Sequence, residues 1–193
     1  MKKFSRKQKE AVGASALIFI ILIIAWSILL NYISPSEILE SIGVHNGYII
    51  VLIGGFLGGV SLFFPFPSYL LVLTFGAAGL NPILLGVTAA LGVMFGESTS
   101  YLVGHASYRV LPSNWHGKIN KFNQWLMHKP PWAISLLLFI VGSIPFPNDY
   151  FLVPLGLVGY PFRKTIIPLA LGNLTYNILL ASIGYYGLAS FFS

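Results

Sequence analysis

The sequence contains no cysteine and only five acidic residues among its 193. Without cysteine, disulfide bonds, thiolate metal sites and cysteine nucleophiles are all excluded. Charged residues make up 8% of the chain and hydrophobic residues 56%, whereas a soluble domain is roughly 25% charged. This composition excludes an ordinary soluble domain and predicts a single all-α domain that is integral to a membrane.

Basic residues outnumber acidic ones and give a net charge of +6. They lie in short clusters beside apolar runs, which is the distribution of loops at a negatively charged membrane face. We therefore expect membrane lipids as partners, with anionic headgroups at the cytoplasmic face, and no nucleic acid.

Enzyme signatures are also missing. The stretch Gly96-Glu97-Ser98-Thr99-Ser100 lacks the final glycine and the preceding strand of a nucleophile elbow. There is no His-Glu-x-x-His motif and no phosphate-binding glycine-rich loop, and the four histidines are scattered. We expect no catalysis, no cofactor and no metal site.

The most informative feature is a segment that occurs twice. Pro65-Phe66-Pro67 returns 80 residues later as Pro145-Phe146-Pro147, and nine identical positions join 65–104 to 145–184 without a gap. Most of these identities are glycine or proline, which constrain backbone shape rather than merely being apolar. The spacing predicts an internal repeat.

The N-terminal region predicts a membrane anchor. Residues 1–10 carry five basic side chains, and residues 11–33 carry no charge, enough for a helix to cross about 30 Å of hydrocarbon. The competing interpretation is a cleaved signal peptide, but its apolar core is shorter and ends at a small-residue cleavage site. We predict a retained first helix in the plasma membrane, with a basic, cytoplasmic N-terminus.

Each copy of the repeat predicts a re-entrant helical hairpin followed by one spanning helix. The apolar arms on either side of each Pro-Phe-Pro segment are short, and such a break survives only inside protein or beside a watery cavity. A transport domain over 48–188 then consists of repeat 1 (48–107) and repeat 2 (131–188). Full crossing by the hairpins is the alternative. Either way, each unit has an odd number of crossings, which inverts the second copy relative to the first.

Two further helices are predicted outside these elements. Ser36 is the expected start of a short interfacial helix within 34–47. Trp115, Ile119, Phe122 and Leu126 recur at helical spacing, which predicts an amphipathic helix on the membrane surface between the repeats, ended by Pro130-Pro131. Loop 34–47 has no Lys or Arg, whereas 105–130 and 161–164 together hold six. The positive-inside rule therefore places the latter two loops in the cytoplasm.

Glu97 and Asp149 are the only acids within the predicted repeats. A charged carboxylate in a spanning helix costs at least about 2.5 kcal/mol, so a proton-coupling role in transport is favoured over a hydrogen-bonding strut. Polar residues near them and near the hairpin tips (Pro65, Phe66, Pro67, Pro145, Phe146 and Pro147) are candidates for a substrate cavity, with helix–helix packing as the alternative. These candidates are Ser68, Tyr69, Tyr101, His105, Asn148, Asn173, Tyr176 and Asn177.

Over residues 48–188 the chain resembles the DedA family, also called the SNARE-associated or VTT-domain superfamily. The resemblance rests on Phe64-Pro65-Phe66-Pro67-Ser68, Gly76-Ala77-Ala78-Gly79, Gly96-Glu97 with Tyr101 and Gly104, Ile144-Pro145-Phe146-Pro147, Gly156 and Gly159. It implies two re-entrant hairpins in inverted repeat and the movement of lipids between leaflets, either polyprenyl phosphate carriers or phospholipids. The chain has Ser68 where the family has an acid, and Gly142, Asn148 and Asp149 around the position of its arginines.

We therefore expect a membrane transport protein that moves a lipid between leaflets with proton linkage. The alternatives are a secondary transporter of a small solute or ion, and a membrane scaffold in which the polar residues only pack. A closed dry core would favour the scaffold. A water-filled cavity would favour the small-solute carrier, and a lateral groove that is open to lipid would favour the lipid transporter.

Overall fold

The computed structural model describes residues 20–21, 23–30, 32–60 and 66–188. Every regular element in these ranges is helical and none is a strand, which confirms the predicted all-α class. The residues described between 20 and 32 are helical, within the predicted first membrane helix, and Trp26 Nε1 donates a hydrogen bond to Thr74 Oγ1 at 2.9 Å. The rest of that helix, the basic residues 1–10 and Pro65 lie outside the described residues.

Eight α-helices follow from residue 35 onward in the described part of the chain. They are α1 (Pro35–Ile42), α2 (Val44–Gly59), α3 (Ser68–Ala77), α4 (Pro82–Ser107), α5 (Ser113–Met127), α6 (Pro131–Gly142), α7 (Asp149–Leu157) and α8 (Phe162–Ser182). A 3₁₀ turn at Tyr108–Val110 extends α4, and π-helical turns at Ile183–Leu188 extend α8. The amphipathic helix is present as α5, which ends before Pro130-Pro131 and buries Ile119 and Leu126.

The first short helix begins two residues earlier than expected. Ser34, not Ser36, caps α1: its Oγ accepts a hydrogen bond from the Glu37 backbone N–H at 3.3 Å, and Glu37 Oε2 accepts one from the Ser34 N–H at 2.8 Å. This reciprocal pair is a capping box. Pro35 lies between them, at the first helical position, where a missing N–H costs nothing.

The repeated glycines end α3 and α7 in the same way. Gly79 and Gly159 have φ angles of 94° and 70°, which L side chains rarely adopt. The N–H of the next residue bonds back to a carbonyl five positions earlier: Leu80 to Phe75 at 3.1 Å and Tyr160 to Leu155 at 3.0 Å. Both ends are Schellman motifs, so the repeated sequence Gly-x-x-Gly has a structural cause.

Close backbone contacts join α4 and α8 to the helices that precede the two Pro-Phe-Pro segments. A β-carbon at Gly55 in α2 would lie 2.6 Å from the Ala89 carbonyl oxygen of α4. One at Gly142 in α6 would lie 2.5 Å from the Leu169 carbonyl oxygen of α8. Only glycine permits approaches this close. Ala89 and Leu169 are themselves repeat partners.

The helices after the Pro-Phe-Pro segments, α3 and α7, each pack against the long helix of the other repeat copy. In α3, Gly76 packs against Ala181 at the end of α8, where a β-carbon would lie 2.6 Å from the Ala181 carbonyl oxygen. In α7, Gly156 packs against Tyr101 near the end of α4 in the same manner. The helix after each Pro-Phe-Pro segment, α3 or α7, therefore packs against the long helix of the other repeat copy, α8 or α4 respectively.

Buried apolar side chains form two cores. One includes Val72, Phe75 and Ala89, and the other includes Leu152, Leu155 and Leu169, which are their repeat partners. Many large apolar side chains outside these cores are exposed, such as Phe95 at 57% and Leu179 at 59%. Such an apolar surface matches a hydrocarbon environment better than water.

Two helical stretches in the described residues are long and apolar enough to cross a membrane, Pro82–Val110 and Phe162–Gly187. The number rises to four if each of two bent pairs is one span: α1 with α2, and Trp115–Met127 of α5 with α6, each bent by 104°.

Candidate functional site

A cavity of about 220 Å³ lies where the two Pro-Phe-Pro segments approach each other. Phe66 and Pro67 line it from one side and Pro145, Phe146 and Pro147 from the other. We refer to this space, which is also lined by Glu97, as the Glu97 cavity. The described parts of the two Pro-Phe-Pro segments, which were predicted to be hairpin tips, thus line one cavity; Pro65 lies outside the described residues.

Glu97 is buried, with 4% of its surface exposed, and both of its carboxyl oxygens accept hydrogen bonds. Asn173 Nδ2 of α8 donates to Oε2 at 2.7 Å. Asn148 Nδ2, just after the second Pro-Phe-Pro segment, donates to Oε1. The carboxyl therefore joins three separate elements: α4, α8 and the residue that precedes α7.

Asn148 has one polar atom left over. Its Oδ1 is buried and has no hydrogen-bond partner among the described residues. A buried amide oxygen without a donor is costly, by about 1–3 kcal/mol. The same amide thus donates to Glu97 on one side and offers an unused acceptor on the other.

Two more polar residues of α8 face the cavity. Tyr176 and Asn177 both line it, and Asn177 Nδ2 donates back to the Asn173 carbonyl at 2.8 Å within the helix. Although the repeat pairs Asn177 with Glu97, the hydrogen bond to Glu97 comes from Asn173, one turn earlier.

Ser68 and Tyr69, at the start of α3, also line the Glu97 cavity. Ser68 lies close to Gly58 of α2, where a β-carbon would collide with its hydroxyl. Gly58, Val93 and Ile144 line the cavity as well and were missed from the sequence. The glycine-rich run at 54–59 was the available signal for Gly58, since it marks close helix contact.

Asp149 is buried at the first residue of α7, beside Asn148 in the chain, but it is not among the residues that line the cavity. Its proposed proton-coupling role stays a prediction.

Tyr101 and His105 lie elsewhere. The Tyr101 hydroxyl donates to the Tyr160 carbonyl, and its ring meets Phe162 edge-on with centroids 5.2 Å apart. His105 is exposed and lines a different pocket with Arg109. One turn of helix advances about 5.4 Å, so Tyr101 is one turn and His105 two turns beyond Glu97. The structure does not bring either to the cavity.

The electrostatic character of the cavity follows from its lining. Among the described lining residues, Glu97 is the only carboxyl and none is basic. Four aromatic rings, of Phe66, Tyr69, Phe146 and Tyr176, stand around the polar amides and hydroxyls. Aromatic rings and a carboxylate both attract cations. Because no described lining residue is basic, the cavity offers no counter-ion to an isolated phosphate.

A family model described as the VTT domain matches residues 66–186 of the chain. This range runs from the first Pro-Phe-Pro segment through α8 and contains nearly every residue around the Glu97 cavity. Comparisons with curated proteins and with solved structures give no match.

Proposed function

Because the chain belongs to the VTT-domain family and is a helical membrane protein, we propose that it moves a lipid between the two leaflets of the plasma membrane, with Glu97 on the path. The supporting observation is that the described parts of both Pro-Phe-Pro segments line one cavity that also holds the Glu97 carboxyl and the amides of Asn148, Asn173 and Asn177, within an apolar helical protein. A headgroup that crosses the bilayer needs such polar surroundings, because polar groups are costly in hydrocarbon.

The two halves are proposed to be inverted repeats. The exchange of Gly76 against Ala181 and of Gly156 against Tyr101 supports a two-fold relation, since each contact becomes the other at an offset of 80 residues. The directions of α4 and α8 agree: Gly86 packs against Ile178, whereas Glu97, later in α4, reaches Asn173, earlier in α8. A two-fold axis that exchanges two antiparallel helices runs perpendicular to them. If α4 and α8 cross the membrane, this axis lies in the membrane plane, as in inverted repeats.

The hairpins are proposed to be re-entrant. The helices α3 and α7 have 10 and 9 residues, which at 1.5 Å per residue gives about 15 Å, half the hydrocarbon thickness. Both Pro-Phe-Pro segments line the Glu97 cavity, where irregular backbone is tolerated.

The orientation is proposed from the distribution of basic residues among the loops. The connection that contains α5, with Arg109, Lys121 and Lys129, belongs in the cytoplasm under the positive-inside rule, as does the loop at Arg163-Lys164. The N-terminus is then cytoplasmic as well, and α1, whose charged residues are Glu37 and Glu40, lies at the outer face.

We propose a zwitterionic phospholipid as the substrate in preference to a polyprenyl phosphate. A phosphate monoester would enter the Glu97 cavity without a basic partner among the described lining residues. A zwitterionic headgroup carries its own cation, which the Glu97 carboxylate and the aromatic rings attract.

Proton linkage is proposed to operate through the amide of Asn148. When Glu97 is ionised, both of its oxygens accept from amide N–H groups, as in the hydrogen bonds to Asn148 and Asn173. When Glu97 takes up a proton, its O–H must donate, and rotation of the Asn148 amide would turn Oδ1 toward it. Because Asn148 directly follows the second Pro-Phe-Pro segment, protonation of Glu97 acts on that hairpin.

A small-solute carrier is the second candidate, and the modest volume of the Glu97 cavity, about 220 Å³, favours it. Transport is preferred over catalysis in both cases, because the described lining residues include one carboxyl and no second acid or histidine to complete a general acid–base pair.

The test is reconstitution of the full chain into vesicles that contain lipids labelled with a fluorophore on the apolar tail, so that the headgroups keep their natural charge. We expect fluorescence in the inner leaflet to become accessible to an external quencher much faster than in protein-free vesicles, and faster for zwitterionic than for phosphate-monoester lipids. Transport of a small solute without lipid movement would favour the second candidate and contradict the first.

A further inference from the structure

Two pockets unrelated to the Glu97 cavity lie along α5, and they share no described lining residue with it. The first, the α5 apolar pocket, has a volume of about 570 Å³ and lies between α5, α6 and α7. Trp125, Ala133, Leu137 and Phe151 are among its walls. Its volume falls within the roughly 300–1,000 Å³ of ligand pockets in general.

The second, the α5 polar pocket, has a volume of about 340 Å³ and lies between the end of α4, α5 and the end of α7. Its polar lining comes from His105, Arg109, Asn120 and Asn123. Asn123 Oδ1 is buried and has no hydrogen-bond partner among the described residues. The pocket therefore combines a guanidinium with an amide oxygen that lacks a donor.

The two pockets follow one another along the same pair of helices. On α5, residues 119–123 contribute to the polar pocket, and residues 122–126, with Lys129 just beyond the helix, contribute to the apolar one. On the α7 side, residues 150–155 line the apolar pocket and residues 157–159 the polar one. A single ligand that fits both must be polar at one end and apolar at the other.

The charged residues that line the two pockets determine which charge the polar end of the ligand should carry. No described residue that lines either pocket is acidic, whereas Arg109 lines the polar pocket and Lys129 the apolar one. The Lys129 ammonium lies 5.2 Å from the centre of the Trp125 ring, which positions it at the rim. Arginine is well suited to bind phosphate oxygens in a bidentate manner.

We propose that an anionic phospholipid with a hydroxyl-bearing headgroup binds beneath α5 as a resident lipid, distinct from any transported one. Its phosphate contacts Arg109, a headgroup hydroxyl donates to Asn123 Oδ1, and an acyl chain fills the α5 apolar pocket. The lipid joins α5 to the rest of the protein, against which α5 also buries Ile119 and Leu126. This proposal does not depend on the proposed transport.

The experiment is native mass spectrometry of the full chain, purified in detergent and titrated with phosphatidylglycerol or phosphatidylcholine. We expect one phosphatidylglycerol to be retained per chain, in preference to phosphatidylcholine. Because Arg109→Gln removes the charge-assisted hydrogen bonds to the phosphate, it should weaken phosphatidylglycerol binding at least about tenfold.

Matched controls separate this site from general surface attraction. Arg163→Gln removes an exposed cation that lines neither pocket and should leave binding unchanged. Ala133→Phe fills the apolar pocket and should weaken binding of both lipids, whereas Leu136→Phe, on an exposed position of the same helix, should not. Thermal unfolding, followed by the circular dichroism signal of the helices, checks that each variant is folded.

Four results would overturn the proposal. One is equal retention of phosphatidylglycerol and phosphatidylcholine, and another is an equal loss of binding with Arg163→Gln. Competition by soluble glycerol phosphate at the same concentration as the lipid would indicate a site for free phosphate. A change from dimer to monomer in Ala133→Phe, with lipid binding intact, would show that a second copy of the chain fills the pocket.

Discussion

Asn173 Nδ2 donates a 2.7 Å hydrogen bond to the carboxyl of Glu97 and thereby joins the two long helices α4 and α8 at their polar faces. Both residues are buried, at 5% and 4% exposure. Both residues line the Glu97 cavity, and Asn148, which directly precedes α7, donates to the same carboxyl. The same group of hydrogen bonds is therefore expected to stabilise the fold and to take part in the proposed transport.

The first prediction is that Asn173→Ala destabilises the protein by about 1–3 kcal/mol, because it leaves a buried carboxyl oxygen without its donor. The loss should be larger at alkaline than at acidic pH, because an ionised carboxylate depends on its donors more than a protonated acid does. Thermal unfolding in detergent across this pH range provides the measurement.

Asn46→Ala is the matched control. Asn46 is exposed in α2 and its amide donates to the Ile42 carbonyl at the end of α1, so its replacement should change stability little and without pH dependence. An equal, pH-independent loss in both variants would mean that the Asn173 contact with Glu97 does not stabilise the fold.

Glu97, Asn148 and Asn173 were all candidates from the sequence, but which of them form hydrogen bonds with one another was not predicted. Repeat spacing related Glu97 to Asn177, since residues at equivalent positions share an environment. The partner in a crossing pair of helices depends instead on the crossing angle and on where small residues let the backbones approach, as at Gly86 and Ile178. Neither quantity is encoded by spacing within one helix.

Helix bounds were better determined, because local chemistry fixes them. Pro82 and Pro131 begin α4 and α6, and the Gly79 and Gly159 turns follow the ends of α3 and α7. Tyr101 was assigned to the cavity from spacing of four residues, but each such step also turns the side chain by about 40°. That rotation and one turn of rise bring the Tyr101 hydroxyl to Tyr160 instead of the Glu97 cavity.

The second prediction tests the proposed two-fold relation between the halves. Gly76→Ala and Gly156→Ala should each destabilise the protein by about 1–3 kcal/mol, because the added methyl group presses on a carbonyl oxygen of the partner helix. Equivalent positions should give similar losses, measured as shifts in thermal unfolding.

Gly117→Ala serves as the control, since no atom lies within 4 Å of a β-carbon at that position of α5. Alanine favours a helix by up to about 1 kcal/mol over glycine, so this variant should be unchanged or more stable. A large loss for Gly76→Ala together with none for Gly156→Ala would argue against equivalent packing in the two halves.

The third prediction concerns orientation. The chain has no native cysteine, so single cysteines at Ser41 and Asn120, both exposed, can be labelled without background. A membrane-impermeant maleimide should reach Ser41→Cys from outside intact cells and Asn120→Cys only after the cells are opened. Labelling of both from the same side would contradict the inverted-repeat proposal.

The measurement that tests the central claim most directly is the pH dependence of lipid movement by Glu97→Gln in reconstituted vesicles. Glutamine has the shape of a protonated glutamate but cannot release a proton, so the variant should fold normally and lose pH-dependent movement. Glu40→Gln, the same change at an exposed residue of α1, should behave like the unmodified protein. If the folded Glu97→Gln variant moves lipid at the unmodified rate and with the same pH dependence, Glu97 does not carry the proton.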